Sequence, residues 1–88
     1  MKEYNTVIGI DLGDKKHHFC VLNESAEIEQ EGTVTNSQAG LKRIFGGYEP
    51  SLIAVETGTH SNWVSSLLEK LGHTVLVANA RKLRAIYS

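Results

Sequence analysis

The amino-acid sequence predicts an α/β domain, a mixed five-stranded sheet with helices on its faces. Two observations carry this. Apolar runs at residues 6–11, 52–56 and 74–78 are too short for buried helices and are bounded by turn or helix signals. Three strand-like segments joined by tight turns come first and strand–helix alternation follows, so the order reads β-β-β-α-β-α-β-α. Strands joined by tight turns must be antiparallel neighbours, whereas the later βαβ units need parallel pairing through right-handed crossovers. Helices packed on a mixed sheet are the economical solution. Strand order is not readable from one sequence, but the order 3-2-1-4-5 is compatible, and it sets the first and fourth strands side by side and parallel.

Residues 6–11 form an apolar run ending in Asp11, a buried strand, and Gly13 and Asp14 suit the tight turn that follows. A second strand spans residues 16–22, with Asn23, Glu24 and Ser25 making the next turn. Residues 27–35 alternate, with Glu27, Glu29 and Glu31 on one side and Ile28, Gln30 and Gly32 on the other. That is an outer strand with one wet face, ending in Val34. Asn36 suits a helix N-cap, Ala39, Leu41, Ile44 and Phe45 supply an apolar stripe, and Gly46 and Gly47 stop the helix. Residues 52–56 are a buried strand ending in Glu56. Trp63, Val64, Leu67, Leu68 and Leu71 then mark one face of a helix, with Gly72 as its stop, and Trp63, Leu67 and Leu71 are expected against the sheet. The last strand covers residues 74–78, and Asn79 is placed to cap a third helix from about Ala80. Val7, Ile8, Ile10, Ile53, Val55, Val75 and Val77 are the expected buried residues of the sheet.

Composition bounds the function. The 88 residues make one small domain, 41% hydrophobic and 22% charged, as in ordinary globular proteins. A formal net charge of −1 gives no global polybasic signal for nucleic acid, although Arg81, Lys82 and Arg84 cluster at the end of the chain. Cys20 is the only cysteine, so neither an intramolecular disulfide nor a thiolate metal cluster is available. No apolar stretch approaches the ~20 residues that span a bilayer, and the first residues lack the core of a signal peptide. The expectation is a soluble chain of the cytoplasm with no membrane partner. No Gly-x-Ser-x-Gly elbow, P-loop or Gly-x-Gly-x-x-Gly fingerprint is present.

The chemistry-bearing residues stand at strand ends. If the first and fourth strands are parallel neighbours, Asp11 and Glu56 share the carboxyl-terminal edge, and strands ~4.8 Å apart let both carboxylates reach a common ion. Hard cations such as Mg²⁺ take carboxylates together with water and phosphate oxygens, and a pair of them promotes phosphodiester cleavage. The plainer reading makes both acids turn residues. Asp14 reads as a turn residue rather than a ligand. His17 and His18 are adjacent on a strand, point to opposite faces, and cannot chelate one ion together. His60 lies at the start of the Trp63 helix, where an imidazole is placed to meet a phosphate or order a metal-bound water; capping by Thr59 or Ser61 is the alternative.

Four stretches now stand out: Val7-Ile8-Gly9-Ile10-Asp11, Val55-Glu56-Thr57-Gly58-Thr59-His60-Ser61-Asn62-Trp63-Val64, Gly72-His73-Thr74-Val75, and Val77-Ala78-Asn79-Ala80-Arg81-Lys82. Together they resemble the N-terminal domain of the DEDD transposases of the insertion-sequence-110 family, which includes the bridge-RNA-guided recombinases. The resemblance runs from about Thr6 to Tyr87. It implies an RNase H-like (RuvC-like) fold and four acidic residues that bind Mg²⁺ or Mn²⁺. Asp11 matches the first acid and Glu56 the second, with His60 and Thr59 as accessory candidates and Arg81, Lys82 and Arg84 as nucleic-acid contacts. The resemblance also implies DNA as partner, a guide (bridge) RNA in some members, homo-oligomers of the whole protein, and action on DNA in the cytoplasm of a prokaryotic cell. The family's other two acids, a paired Asp-x-x-Asp, are expected beyond Ala80, and a serine domain after that; the sequence has no Asp after Asp14. Residues 1–88 therefore read as the N-terminal part of the catalytic domain, with weak metal binding and no complete activity of its own.

Two other readings compete. The run from Ile8 to Gly13 is similar to the first phosphate loop of actin-like and sugar-kinase ATPases. Asp14 and Lys15 stand where those folds place Thr or Ser, however, and the stretch from Glu56 to Trp63 has no role there. A non-catalytic, nucleic-acid-binding remnant is the other alternative.

Overall fold

A computed structural model describes residues 4–78. The elements are β1 (Val7–Asp11), β2 (Lys16–Leu22), β3 (Ile28–Thr35), α1 (Gln38–Phe45), β4 (Leu52–Glu56), α2 (Ser61–Lys70) and β5 (Thr74–Ala78). The five strands form one mixed sheet in the order β3-β2-β1-β4-β5, the RNase H-like order. β1 pairs antiparallel with β2 and parallel with β4, in the register Val7↔Leu52 to Ile10↔Val55. β5 extends the parallel half, from Leu52↔Thr74 to Glu56↔Ala78. The third helix expected from Ala80, its cap Asn79, and Arg81, Lys82 and Arg84 lie outside the described residues.

Both described helices lie on one face of the sheet. Ile8, Ile10, Phe19, Val21, Ile53 and Val55 point to that face and form a single core with Leu41 and Phe45 of α1 and Val64, Leu67 and Leu68 of α2. The ring of Phe19 stacks edge-on to Phe45, with centroids 5.3 Å apart. Phe19 also lies across Gly32 of β3, where an added Cβ would meet the ring at 3.1 Å, so the absence of a side chain there lets the aromatic pair close. Among the described residues no helix is long and apolar enough to cross a membrane.

Several details differ from the sequence reading, each for a local reason. Ser37, not Asn36, caps α1: its Oγ accepts from the Gly40 N–H at 3.0 Å. Asn36 is diverted because its side-chain amide donates to the Asp14 carbonyl at 2.8 Å. Ala39 is exposed, and Gly40 takes the buried position beside the Thr35 carbonyl. The alternation expected along β3 is broken by a register shift between Val21 and Leu22, which brings Ile28 opposite Leu22, where it stays 60% exposed. α2 turns Val64 and Leu68 fully inward, with Leu67 nearly so, while Trp63 and Leu71 flank this line and are half-buried. Val77 is 43% exposed rather than buried, and Val7 and Val75 are half-buried. β5 is the edge strand, and α2 covers only part of it.

The two helix ends next to β5 and β4 are joined by one imidazole. α2 stops in a Schellman turn, with Gly72 at φ +99°, Gly72 N–H donating to Glu69 O at 3.0 Å and His73 N–H to Leu68 O at 3.1 Å. The buried His73 ring accepts at Nδ1 from the Ser51 N–H at 3.1 Å and donates from Nε2 to the Phe45 carbonyl at 2.7 Å. It thereby fills the last carbonyl of α1 and the amide that precedes β4.

The packing of α2 sets an ordering that denaturation can check. Leu68→Ala should lower unfolding stability by roughly 2–5 kcal/mol, as for a fully buried leucine, and Leu71→Ala by clearly less. Equal midpoint shifts in urea for the two variants would show that α2 is docked on the Leu71 side instead.

Candidate active site

β1 and β4 run parallel at the centre of the sheet, so both deliver their last residue to the same edge. Asp11 ends β1 and Glu56 ends β4, each one step past the last pair of their ladder, Ile10↔Val55. Side chains alternate along a strand. Ile10 and Val55 are in the helix-covered core, so Asp11 and Glu56 share the opposite face. There Asp11 borders a broad open groove lined by Gly9, His18, Cys20, Leu22, Glu31 and Thr33. The carboxyls are close enough to interact. Burial raises the Glu56 carboxyl above the ordinary glutamate value, and the negative charge of Asp11 and a hydrogen bond between the two carboxyls raise it further. The structure thus brings together the two acids that the sequence singled out.

The other candidates fall elsewhere. Thr59 is exposed in the loop after β4. His60 occupies the N-cap position of α2 but makes no side-chain capping bond, and neither Thr59 nor Ser61 replaces it; Ser61 Oγ donates to the Gly58 carbonyl at 2.9 Å. His60 faces a cluster distinct from the carboxylate pair. Its Nδ1 accepts from Trp63 Nε1–H at 3.2 Å, and its Nε2 lies 3.5 Å from Asp14 Oδ1 and 3.5 Å from Asn36 Nδ2. His17 and His18 do point to opposite faces: His17 is fully buried and His18 exposed. The His17 ring stands 6.4 Å from that of His60 and accepts the Gly13 N–H at Nδ1, 3.1 Å away. Burial lowers the His17 pKa, a hydrogen bond with Asn36 partly opposes this, and His60 lowers it again.

Sequence reasoning passes over two features here. Asn36 is read as a cap, yet it joins the Asp14 turn to the His17–His60 pair. Asp14 is read as a turn residue, yet its 98% exposed carboxylate meets His60. Neither contact leaves a local signature, because Asn36 lies 22 residues from Asp14 and 24 from His60. Among the described residues no cluster of three or more His, Cys, Asp or Glu is arranged to hold a metal ion.

Against known protein families, the chain matches the model of the DEDD transposases of insertion sequence 110, described as a transposase, over residues 8–88. The chain belongs to this transposase family. No curated protein matches it. The match begins at Ile8 and takes in both acids, all of β1 but its first residue and every later described element, including the His60 segment.

The repulsion within the acid pair has a pH signature. A carboxyl titrating higher in the folded than in the unfolded chain favours folding at low pH, and this contribution is lost as pH rises through the folded value. Above that value the fold carries two facing charges. Asp11→Asn removes one and should raise the unfolding midpoint at about pH 7, with the gain shrinking toward about pH 3, at the lower edge of the ordinary glutamate range. A gain of equal size at both pH values would show that the two carboxylates do not repel.

Proposed function

We propose that residues 1–88 form the N-terminal part of a transposase catalytic domain, in which Asp11 and Glu56 bind a divalent metal ion for DNA strand cleavage and transfer. The observation that supports this reading most is the pair itself: two carboxyls from different, parallel strands meet at one edge, and the Glu56 carboxyl is raised first by burial and then by Asp11. A structural role does not require two acids to face each other, and their repulsion disfavours it. A hard cation removes that repulsion, and an all-oxygen donor set suits Mg²⁺ or Mn²⁺.

Asp11 and Glu56 would hold the ion from one side, leaving its other positions to water and to phosphate oxygens of the nucleic acid. Bound there, the metal supplies the Lewis acidity that activates an attacking oxygen and stabilises a leaving one. Two carboxylates alone give weak affinity, because Mg²⁺ dehydrates reluctantly. The two further acids of the family's motif would complete the set. The transposase family implies DNA as the partner. Arg81, Lys82 and Arg84 would then contact phosphate, which positions a duplex without reading its sequence. A guide RNA and self-association belong to the same reading of the whole protein.

Calorimetric titration with Mn²⁺ should show weak binding to the native chain and a clear loss in Asp11→Asn and in Glu56→Gln, with both variants folded. In the whole transposase, Asp11→Asn should abolish strand cleavage while DNA binding persists. Undiminished cleavage in that variant would end the metal-site reading.

A further inference from the structure

The β1–β4 ladder stops at Ile10↔Val55, one residue short of the two acids. At that last step Asp11 is paired outward with His18 of β2, and Glu56 outward with Ala78 of β5. The ladder between β1 and β4 brings the carboxylates together but makes no pairing at the acids themselves. Their fine separation is left to the loops that follow them. Leu12 Cδ1 lies 3.9 Å from where a Cβ on Gly58 would stand, so the two loops touch just past the acids. Further out, Asp14 Oδ1 meets His60 Nε2 at 3.5 Å.

Chemistry fixes the direction of that second contact. An indole N–H only donates, so the Trp63 bond at 3.2 Å makes His60 Nδ1 an acceptor and leaves the ring proton on Nε2. The other neighbour of Nε2, the Asn36 amide nitrogen, is itself a donor already committed to the Asp14 carbonyl. The Nε2–H therefore faces the Asp14 carboxylate, a charge–dipole contact at 3.5 Å rather than a full hydrogen bond. The turn bearing Asp14 is in turn held at its base: Asn36 N–H donates to Lys15 O at 3.0 Å, and Gly13 N–H donates to His17 at 3.1 Å. The loop bearing His60 is held to β5 by Thr57 N–H donating to Ala78 O at 2.9 Å. His60 is the polar side chain that joins these two braced loops.

We infer that His60 is a positioning residue, which through Asp14 holds the loop after β1 to the loop after β4 and so trims the gap that the strands leave between Asp11 and Glu56. This rests on the metal-site reading above for its consequence, but not for its geometry.

The test uses the whole 88-residue chain with two readouts. In metal-free protein, the nuclear Overhauser contact between the Leu12 methyls and the Gly58 α-protons reports the loop gap directly. In the same samples, titration with Mn²⁺ reports the site. His60→Ala should lose the Leu12–Gly58 contact and bind Mn²⁺ roughly tenfold more weakly, the scale seen when an outer support of a metal ligand is removed. His60→Gln, whose amide offers both a donor and an acceptor, should restore most of both. Asp14→Asn, on an almost fully exposed side chain, tests the clamp without risk to the fold and should weaken the Leu12–Gly58 contact. If native protein binds no Mn²⁺ yet His60→Ala opens the loops, the clamp stands and the metal reading falls. If His60→Ala leaves contact and affinity unchanged, the clamp is overturned. It is equally overturned if affinity falls only in step with the unfolding midpoint and Gln gives no rescue, the result of a merely structural role.

Discussion

The parallel pairing of β1 with β4 is the constraint on which the rest of the structure depends. These strands are only five residues each, yet they occupy the middle of the sheet and Ile8, Ile53 and Val55 within them are wholly buried. Parallel strands cannot be joined by a hairpin. The chain therefore spends its first excursion on β2, β3 and α1 before returning as β4. Gly9 stands opposite Ala54 in this pair. With side chains that small, the two backbones present a smooth floor on the face away from the helices. Parallel direction also forces both strands to finish at one edge. The meeting of the two acids is thus a property of the topology, and side-chain packing only refines it.

The two ends of the sheet are built on different terms. At the end where β4 and β5 begin, the buried ring of His73 has both nitrogens matched to backbone groups. At the other end, the carboxyls of Asp11 and Glu56 oppose each other. Proteins tolerate such local conflict chiefly where function needs it. The contrast within one small domain sets a satisfied edge against a frustrated one, and the proposed site lies on the frustrated edge.

Much of this is legible in the sequence, and the illegible part has a common cause. Strands β2, β4 and β5 are readable to the residue because their apolar runs end in abrupt turn signals such as Asn23, Glu56 and the pair Gly72-His73. The acid pair is readable because each acid closes such a run. What fails depends on a partner far along the chain. Asn36 and Ser37 are equally good caps in isolation, and only the Asp14 carbonyl, 22 residues away, decides between them. Strict alternation misplaces Ile28 because a one-residue register shift leaves no compositional trace. Val77 is as apolar as Val55, and only its position on an edge strand exposes it. The clamp at His60 joins loops that follow different strands, so no window of sequence contains it.

The imidazole of His73 carries a lesson for genetics. It stands at the far edge from the acids, yet it fastens Phe45 at the close of α1 to Ser51 before β4, just where α2 has turned back into β5. A random survey for transposition-defective alleles would recover changes at this position beside changes at Asp11, and a tolerance map would colour both alike. On the proposed metal-site role the phenotypes differ in kind. An allele that loosens the fastening is conditional, rescued by cooler growth or by compensating core changes, whereas an allele that removes a proposed metal-binding carboxylate is absolute at any temperature.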